Sequence, residues 1–510
     1  MQNLVYSVGT NLPKTIFDKE FGKGYGTLSF NIPNIEEEYK QSKPLLFHIY
    51  VDVSGSMADI IEFKQRRSKI QLIKHTLVNI LHHLAEQSDD IYIILKGFDN
   101  IIHDYISATK VTKDNIQELL SKVEQIRPMG STNIGLALQS LNIDIDTDYS
   151  NIPIENRVAI LLTDGEPTAG ICNIPELVEI ISKKCSHHFI GLGNEHNGKL
   201  LLQMGHKNVH TTNWFISDIE HTGNVYGEIL FNETHRVLNN IKIRVLGGKI
   251  YDFDQGIFVD HLEVGSLYEE TTKNYHICIE NEDQFDIVVS GNNLIEEDEF
   301  TLSATKKIIK EDDFEITKQY LRLCVQKLMF RVRQEGPQHE ESIFDKLQCY
   351  QEKRDIDDNI ITDINTFYDF ITKYVKDNGL NTDNFMIELI KDINVMKNSY
   401  KTVDGYMYVS AREDSQGRQT AFNTASKFEY DLSGIMPPKL KRETTSAYKT
   451  PRRCELMRNI SNSTSSQLDE DDEPMSPYSP GKLRLFHPNT LSRKISMTVQ
   501  MDDIETDVNH

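Results

Sequence analysis

The strongest constraint on this chain is the passage from an apolar run, Leu45-Leu46-Phe47-His48-Ile49-Tyr50, into Val51-Asp52-Val53-Ser54-Gly55-Ser56-Met57. A strand that reads as a continuous apolar run is buried on both faces, which predicts a parallel sheet covered by helices. Loops gather at the carboxyl end of such a strand and ligands bind there. The pattern Asp-x-Ser-x-Ser at that end presents three short oxygen-bearing side chains together. Clustered hard oxygens suit a hard cation. One carboxylate and two hydroxyls are too few for Ca²⁺, which takes about six to eight oxygens, but they supply part of an octahedral Mg²⁺ shell at about 2.0–2.1 Å. Other loops have to complete it.

Two later segments are placed to do so. Gly130-Ser131-Thr132-Asn133-Ile134-Gly135 is a small-residue loop opening a helix and offers the Thr132 hydroxyl. Arg157-Val158-Ala159-Ile160-Leu161-Leu162-Thr163-Asp164-Gly165 is a second buried strand ending in a carboxylate. Singly, these pieces read as ordinary local structure, with Asp52 and Ser54 as helix caps and Asp164-Gly165 as a turn. In series after suitable strands they favour a shared cation.

Asp52-x-Ser54-x-Ser56, Thr132 and Asp164-Gly165 together resemble the metal-ion-dependent adhesion site of von Willebrand factor type A (vWA) domains, with each motif position present and in order. The resemblance implies that Ser54, Ser56 and Thr132 bind Mg²⁺ (or Mn²⁺) through their hydroxyls, and that Asp52 and Asp164 act through water. It also implies that a partner protein supplies an Asp or Glu carboxylate to finish the shell. That is binding chemistry without turnover.

At 510 residues the chain has room for roughly three domains. Lys and Arg number 55 against 77 Asp and Glu, a net charge of −22, so a polyanion such as nucleic acid would be repelled in the absence of a local basic face, and none is evident. The start, Met1-Gln2-Asn3-Leu4-Val5-Tyr6, lacks a basic segment followed by an apolar core, and no apolar run approaches the roughly 18 residues of a membrane span. These features predict a soluble, intracellular, cytoplasmic protein. Cys172, Cys185, Cys278, Cys324, Cys349 and Cys454 are scattered without a Cys-x-x-Cys pair, against both a zinc ribbon and a disulfide scaffold.

Along the chain, residues 1–44 predict strand and turn that join the fold. Phe21-Gly22-Lys23-Gly24-Tyr25-Gly26-Thr27 precedes an alternating strand-like segment, where a phosphate loop would need a helix. Residues 45–232 alternate strand and helix, giving an α/β, doubly wound, mainly parallel sheet. Ile70, Ile73, Leu77, Leu81 and Leu84 predict an amphipathic helix; further helices are expected at 116–126 and 175–184, and strands at 91–98 and 187–191. Gly193 to Lys199 has most of a nucleotide-binding loop, but Leu200 stands where Ser or Thr would hold Mg²⁺. His82-His83 and His187-His188 are adjacent pairs whose members diverge, which favours core or solvated rings over zinc. Motifs of serine, zinc and cysteine hydrolases are absent.

Residues 233–306 alternate with period two and predict a small antiparallel β-sandwich, with Gly247-Gly248 and Ser290-Gly291-Asn292-Asn293 as turns. Gly265-Ser266-Leu267-Tyr268-Glu269-Glu270 resembles a segment that follows the A domain in plant-type and bacterial vWA proteins; some of these are RING-bearing ubiquitin ligases, and this chain has no paired cysteines for a RING. Residues 311–405 predict helices, with Gly379 ending one and Asp383 capping the next, and 406–430 a closing segment. Residues 431–510 predict a disordered tail, in which Thr450, Ser479 and Ser496 sit in kinase-like contexts. The reading is a non-enzymatic adaptor whose Mg²⁺ bridges to a partner. A metal-dependent hydrolase or nucleotide-driven enzyme, and a purely structural metal, are the competing expectations.

Overall fold

The structure is a computed structural model that describes residues 3–419, apart from 10–11, 18–23, 34, 36–43, 63–66, 87–89, 150, 165, 193–197, 217–218, 270, 308–313, 335–357 and 401–402. Thr450, Ser479, Ser496 and the whole predicted tail lie outside the described residues, as does Gly165.

The apolar run forms β3 (Leu45–Asp52), in which every residue is buried. It lies inside a sheet ordered β10 (Thr211–Ile216), β9 (Ser186–Leu192), β8 (Arg157–Thr163), β3, β6 (Ile91–Phe98), β7 (Ile102–Lys110). All neighbours run parallel except β6 and β7, and between β3 and β6 in the chain a separate antiparallel pair is formed by β4 (Ile60–Glu62) and β5 (Arg67–Ser68). One face is covered by α1 (Lys69–Glu86), α2 (Ile116–Val123) and α6 (Ile219–Thr234), the other by α3 (Ile134–Asp146), α4 (Ile174–Ile180) and α5 (Gly198–Gly205). The doubly wound α/β fold expected of residues 45–232 is therefore present. The predicted stripe Ile70, Ile73, Leu77, Leu81 and Leu84 is the buried face of α1. Helix α4 is shorter than the expected 175–184. The chain leaves it at Ile181, which is extended and buried in the same core, and so reaches β9.

The second unit is a sandwich. Its six-stranded sheet runs β13 (Ile257–Val259), β12 (Gly248–Asp252), β15 (Thr271–Ile279), β2 (Gly24–Ile32), β1 (Asn3–Val8), β18 (Thr305–Lys306). The facing four-stranded sheet runs β14 (His261–Tyr268), β11 (Arg236–Leu246), β16 (Asp286–Asn293), β17 (Asp298–Ser303). Between them lie Leu28, Phe30, Ile241, Ile243, Ile287 and Val289. β2 pairs with β15 along its length, from Ile32↔Thr271 to Gly24↔Ile279. The N-terminal strands thus belong to the sandwich, and the α/β unit is inserted between β2 and β11.

Ser290-Gly291-Asn292-Asn293, expected as a turn, is strand: it pairs with both β11 and β17. Neighbours on either side outweigh local turn preference. Gly291 has a packing role, since a Cβ there would lie 2.5 Å from Ile241 Cδ1.

Against the outer face of the six-stranded sheet packs α7 (Glu315–Gln334), and α8 (Asp358–Asp377), α9 (Asn384–Ser399) and α10 (Val403–Arg418) pack around α7. Tyr25 of β2 meets Tyr320 of α7 edge to face at 5.2 Å. Gly379, at φ +68°, follows α8, and Asp383 caps α9 by accepting from Met386 N at 3.0 Å. Residues 406–418, expected as a segment apart, continue this helical layer as α10. Asp392 holds it down. Fully buried, Asp392 accepts from Arg412 Nε and Nη2 at 2.7 Å each, from Tyr408 Oη at 2.9 Å and from Gln416 Nε2 at 2.6 Å. Removing the carboxylate strands a buried guanidinium, so Asp392→Ala is expected to cost about 3–5 kcal/mol in urea unfolding; a cost below about 1 kcal/mol would mean the network carries little.

Candidate metal centre

Asp52 ends β3 beside the ends of β8 and β6, and it is fully buried. Its Oδ1 accepts from Ser54 N at 2.8 Å, which bends the chain back after the strand, and its Oδ2 accepts from Thr163 Oγ1 at 2.7 Å. One carboxylate therefore fixes both the serine loop and the end of β8. Burial is the main influence on its acidity and pushes its pKa up to about 6, against the hydrogen bonds from Ser54 and Thr163. A carboxylate in that state gains from a cation nearby.

The serines come next. Ser54 Oγ is 3.1 Å from Ser56 Oγ, and Ser56 Oγ donates to Asp164 Oδ1 at 2.9 Å. Asp164, the residue after β8, is buried. Adjacent ligands of an octahedral ion with bonds of about 2.1 Å are separated by about 3.0 Å. The Ser54 and Ser56 hydroxyls have that spacing before any ion is considered, and an all-oxygen set suits Mg²⁺ or Mn²⁺ over softer metals.

Thr132 reaches the site through its loop. Gly55 N donates to Gly130 O at 3.1 Å, which seats the Gly130–Thr132 turn on the serine loop. Thr132 is buried and held from behind: its N donates to Thr168 Oγ1 at 2.9 Å, and its O accepts from Thr168 N at 2.9 Å. Gly130 has φ +69°, and a Cβ there would sit 2.4 Å from Asp99 Oδ2, so only glycine fits this turn. The sequence-predicted residues Asp52, Ser54, Ser56 and Asp164 thus share a hydrogen-bonded cluster, and Thr132 lies on the loop bonded to it.

The sequence reading missed Lys69. Its Nζ is 2.6 Å from Asp164 Oδ2, and its side chain is buried. An internal ammonium therefore occupies one of the two Asp164 oxygens and offsets its charge. The signal was present, because Lys69 stands at helical spacing from Ile73, Thr76 and Ile80 on the buried face of α1. Thr163 and Thr168, which orient Asp52 and Thr132, had no such signal.

Other candidates resolve differently. Gly193 to Asn197 lies outside the described residues, and Leu200 is fully buried in α5. His187 and His188 are core rings: burial pushes His187 down to about 4, and His188 contacts Thr212 at 2.7 Å and Glu233 at 3.3 Å. No helix among the described residues is long and apolar enough to cross a membrane.

Residues 48–228 match the family described as von Willebrand factor type A domain. Among solved structures, the chain is similar to a von Willebrand factor type A protein from Catenulispora acidiphila, at 14% identity and TM-score 0.49 over 78% of this chain and 90% of that one. It is also similar to the ArnB paralog VWA2 from Sulfolobus acidocaldarius, at 14% identity and TM-score 0.44 over 81% of this chain and 97% of that one. A third is proximal thread matrix protein 1 from the mussel byssus with a zinc-occupied adhesion motif, at 15% identity and TM-score 0.30 over 37% of this chain and 45% of that one. No curated protein matches.

A second group of possible ligands joins the units of the fold. His206, just past α5, has Nδ1 2.6 Å from Asp254 Oδ1 and Nε2 3.2 Å from Asp414 Oδ1. Their ligand atoms lie within 4.8 Å of one another. The carboxylates flank opposite ring nitrogens, however, and Arg418 Nε already donates to Asp414 at 2.8 Å, so the arrangement suits an imidazolium better than a metal ion. Burial opposes that charge, and Asp254 and then Asp414 overcome it, raising the pKa to about 9. A group raised in the folded state stabilises fully below its unfolded value of about 6.5 and loses that contribution as pH rises. Thermal stability is therefore expected to fall between pH 6.5 and 9, with a flatter profile in His206→Gln; identical profiles would contradict the assignment.

Proposed function

Given that residues 48–228 form a vWA domain, a module that generally mediates protein interactions, we propose that this protein is a Mg²⁺-dependent interaction module without catalytic turnover. Ser54, Ser56 and Thr132 hold the ion, with Mn²⁺ as an alternative, and Asp52 and Asp164 support them. When bound, the ion supplies an electron-poor centre that accepts an Asp or Glu carboxylate of a partner. The observation that carries this reading is the 3.1 Å separation of the Ser54 and Ser56 hydroxyls, close to the edge length of a Mg²⁺ shell, with Ser56 oriented by its hydrogen bond to Asp164. Binding without turnover is supported by the engagement of both carboxylates, Asp52 by Ser54 and Thr163 and Asp164 by Ser56 and Lys69, which leaves neither placed as a free general base.

Affinity capture with the full chain in Mg²⁺ is expected to retain a partner that excess EDTA, or Asp52→Ala, releases. A partner that stays bound under both conditions would end the bridging reading, and release of phosphate from ATP above background would favour an enzyme. The chain's own cation gives an independent handle. Because the Lys69 ammonium lies against Asp164, Lys69→Met is expected to tighten Mn²⁺ binding in calorimetry tenfold or more, in line with the loss of roughly 1–4 kcal/mol of charge repulsion. Unchanged or weaker binding would mean that the ion does not sit near Asp164.

A further inference from the structure

A cavity of about 560 Å³ opens where the vWA domain, the sandwich and the helices α7 and α10 meet. That volume is within the range of small-molecule sites. On the vWA side its wall includes Ser186 and His188, near the start of β9. Asp52 and Asp164 stand at the carboxyl ends of β3 and β8, so in this parallel sheet the cavity and the metal centre lie toward opposite edges.

Two cations in the wall donate their hydrogen bonds to neutral groups. Lys273 of β15 is 8% exposed, and its Nζ donates to the carbonyls of Arg418 at 2.7 Å and Gln419 at 2.6 Å. Arg322 of α7 is 7% exposed; its Nη1 donates to Gln319 Oε1 and its Nη2 to Gln416 O, each at 3.0 Å, while Nε has no hydrogen-bond partner. Among the described residues neither is in an ion pair. Burial is the largest influence on both and lowers the pKa of each, and each is also felt by the other or by nearby phenols, with Glu228 the one carboxylate that acts on Lys273.

Glu228, buried in the same wall, is the acid that acts on Lys273, and the other acids of the wall are engaged elsewhere. Glu233 faces His188 at 3.3 Å and Arg236 at 3.8 Å, Asp254 faces His206, and Glu263 faces Lys242. Asp252 accepts from the amides of Asp254 and Gln255. Beside the cations, the Gln326 carboxamide is 1% exposed and makes no directed hydrogen bond from either polar atom, with His276 as its polar neighbour. Arg322, a buried guanidinium on which no carboxylate acts and whose Nε lacks a partner, and Gln326, a buried amide poorly served by its neighbour, are each costly. An occupant bearing negative charge and hydrogen-bonding groups removes both costs.

We propose that this cavity binds a small organic anion, a phosphate monoester or a carboxylic acid, with its charged group at Lys273 and Arg322 and its body against Gln326 and Trp214. The site is independent of the metal centre. It also places the ligand against Arg418 and Gln419, so that occupancy ties α10 to the sandwich.

The test uses the full chain in EDTA, titrated with inorganic phosphate and separately with citrate at constant ionic strength, and read by thermal unfolding and calorimetry. Saturable stabilisation by at least one anion is expected, and the stronger of the two identifies the charged group. Lys273→Gln retains a donor for the two carbonyls and is expected to weaken binding tenfold or more, whereas Lys184→Gln, on the exposed surface, leaves it unchanged. Should Lys273→Gln fail to fold, Arg322→Lys, which keeps the charge but loses the planar fork, is expected to weaken binding in the same way. Absence of a saturable effect with either anion, or equal binding by wild type and the cavity variant, would overturn the proposal.

Discussion

The Asp52 carboxylate, enclosed at the end of the central strand, is the constraint on which the rest of the site depends. One oxygen turns the chain through Ser54 N and the other ties Thr163 at the end of the adjacent strand. Together with the bond from Ser56 to Asp164, these contacts hold the serine loop against the end of β8 and set the spacing from Ser54 through Ser56 to Asp164. Burial makes the arrangement costly for an anion, which is why that carboxyl is pushed up to about 6. Stability has been conceded at this point in exchange for geometry, a pattern expected of functional positions.

Lys69 qualifies the same picture. Asp164 shares its charge with an ammonium of the chain at 2.6 Å, so part of the negative potential that would attract a divalent ion is already neutralised. On the proposed reading, an ion bound at the serine loop would compete with this internal cation for the charge of Asp164.

The architecture and the centre were legible in the sequence to different depths. Strands β3 and β8 could be read directly, because burial on both faces leaves an uninterrupted apolar run, and the ligand motif stands at their ends. Insertion of the α/β unit into the sandwich was not legible. Nothing in Asn3–Val8 or Gly24–Ile32 specifies a partner more than 200 residues away, and only the register with β15 reveals it. Ser290–Asn293 was misread because its residue types favour turns, while the space that Gly291 leaves for Ile241 is a tertiary requirement. Lys69 was written into the helical period of α1 but disguised by its charge. The cavity around Lys273 and Arg322 gathers residues from distant strands and helices, so no local pattern announces it.

The most direct test of the metal centre is anomalous diffraction from crystals of the full chain grown with Mn²⁺. The account predicts one dominant peak within coordination distance of the Ser54 and Ser56 hydroxyls and of Thr132, with Asp52 and Asp164 behind it. A peak between His206, Asp254 and Asp414 with none at the serine loop, or no ordered Mn²⁺ at all, would contradict it.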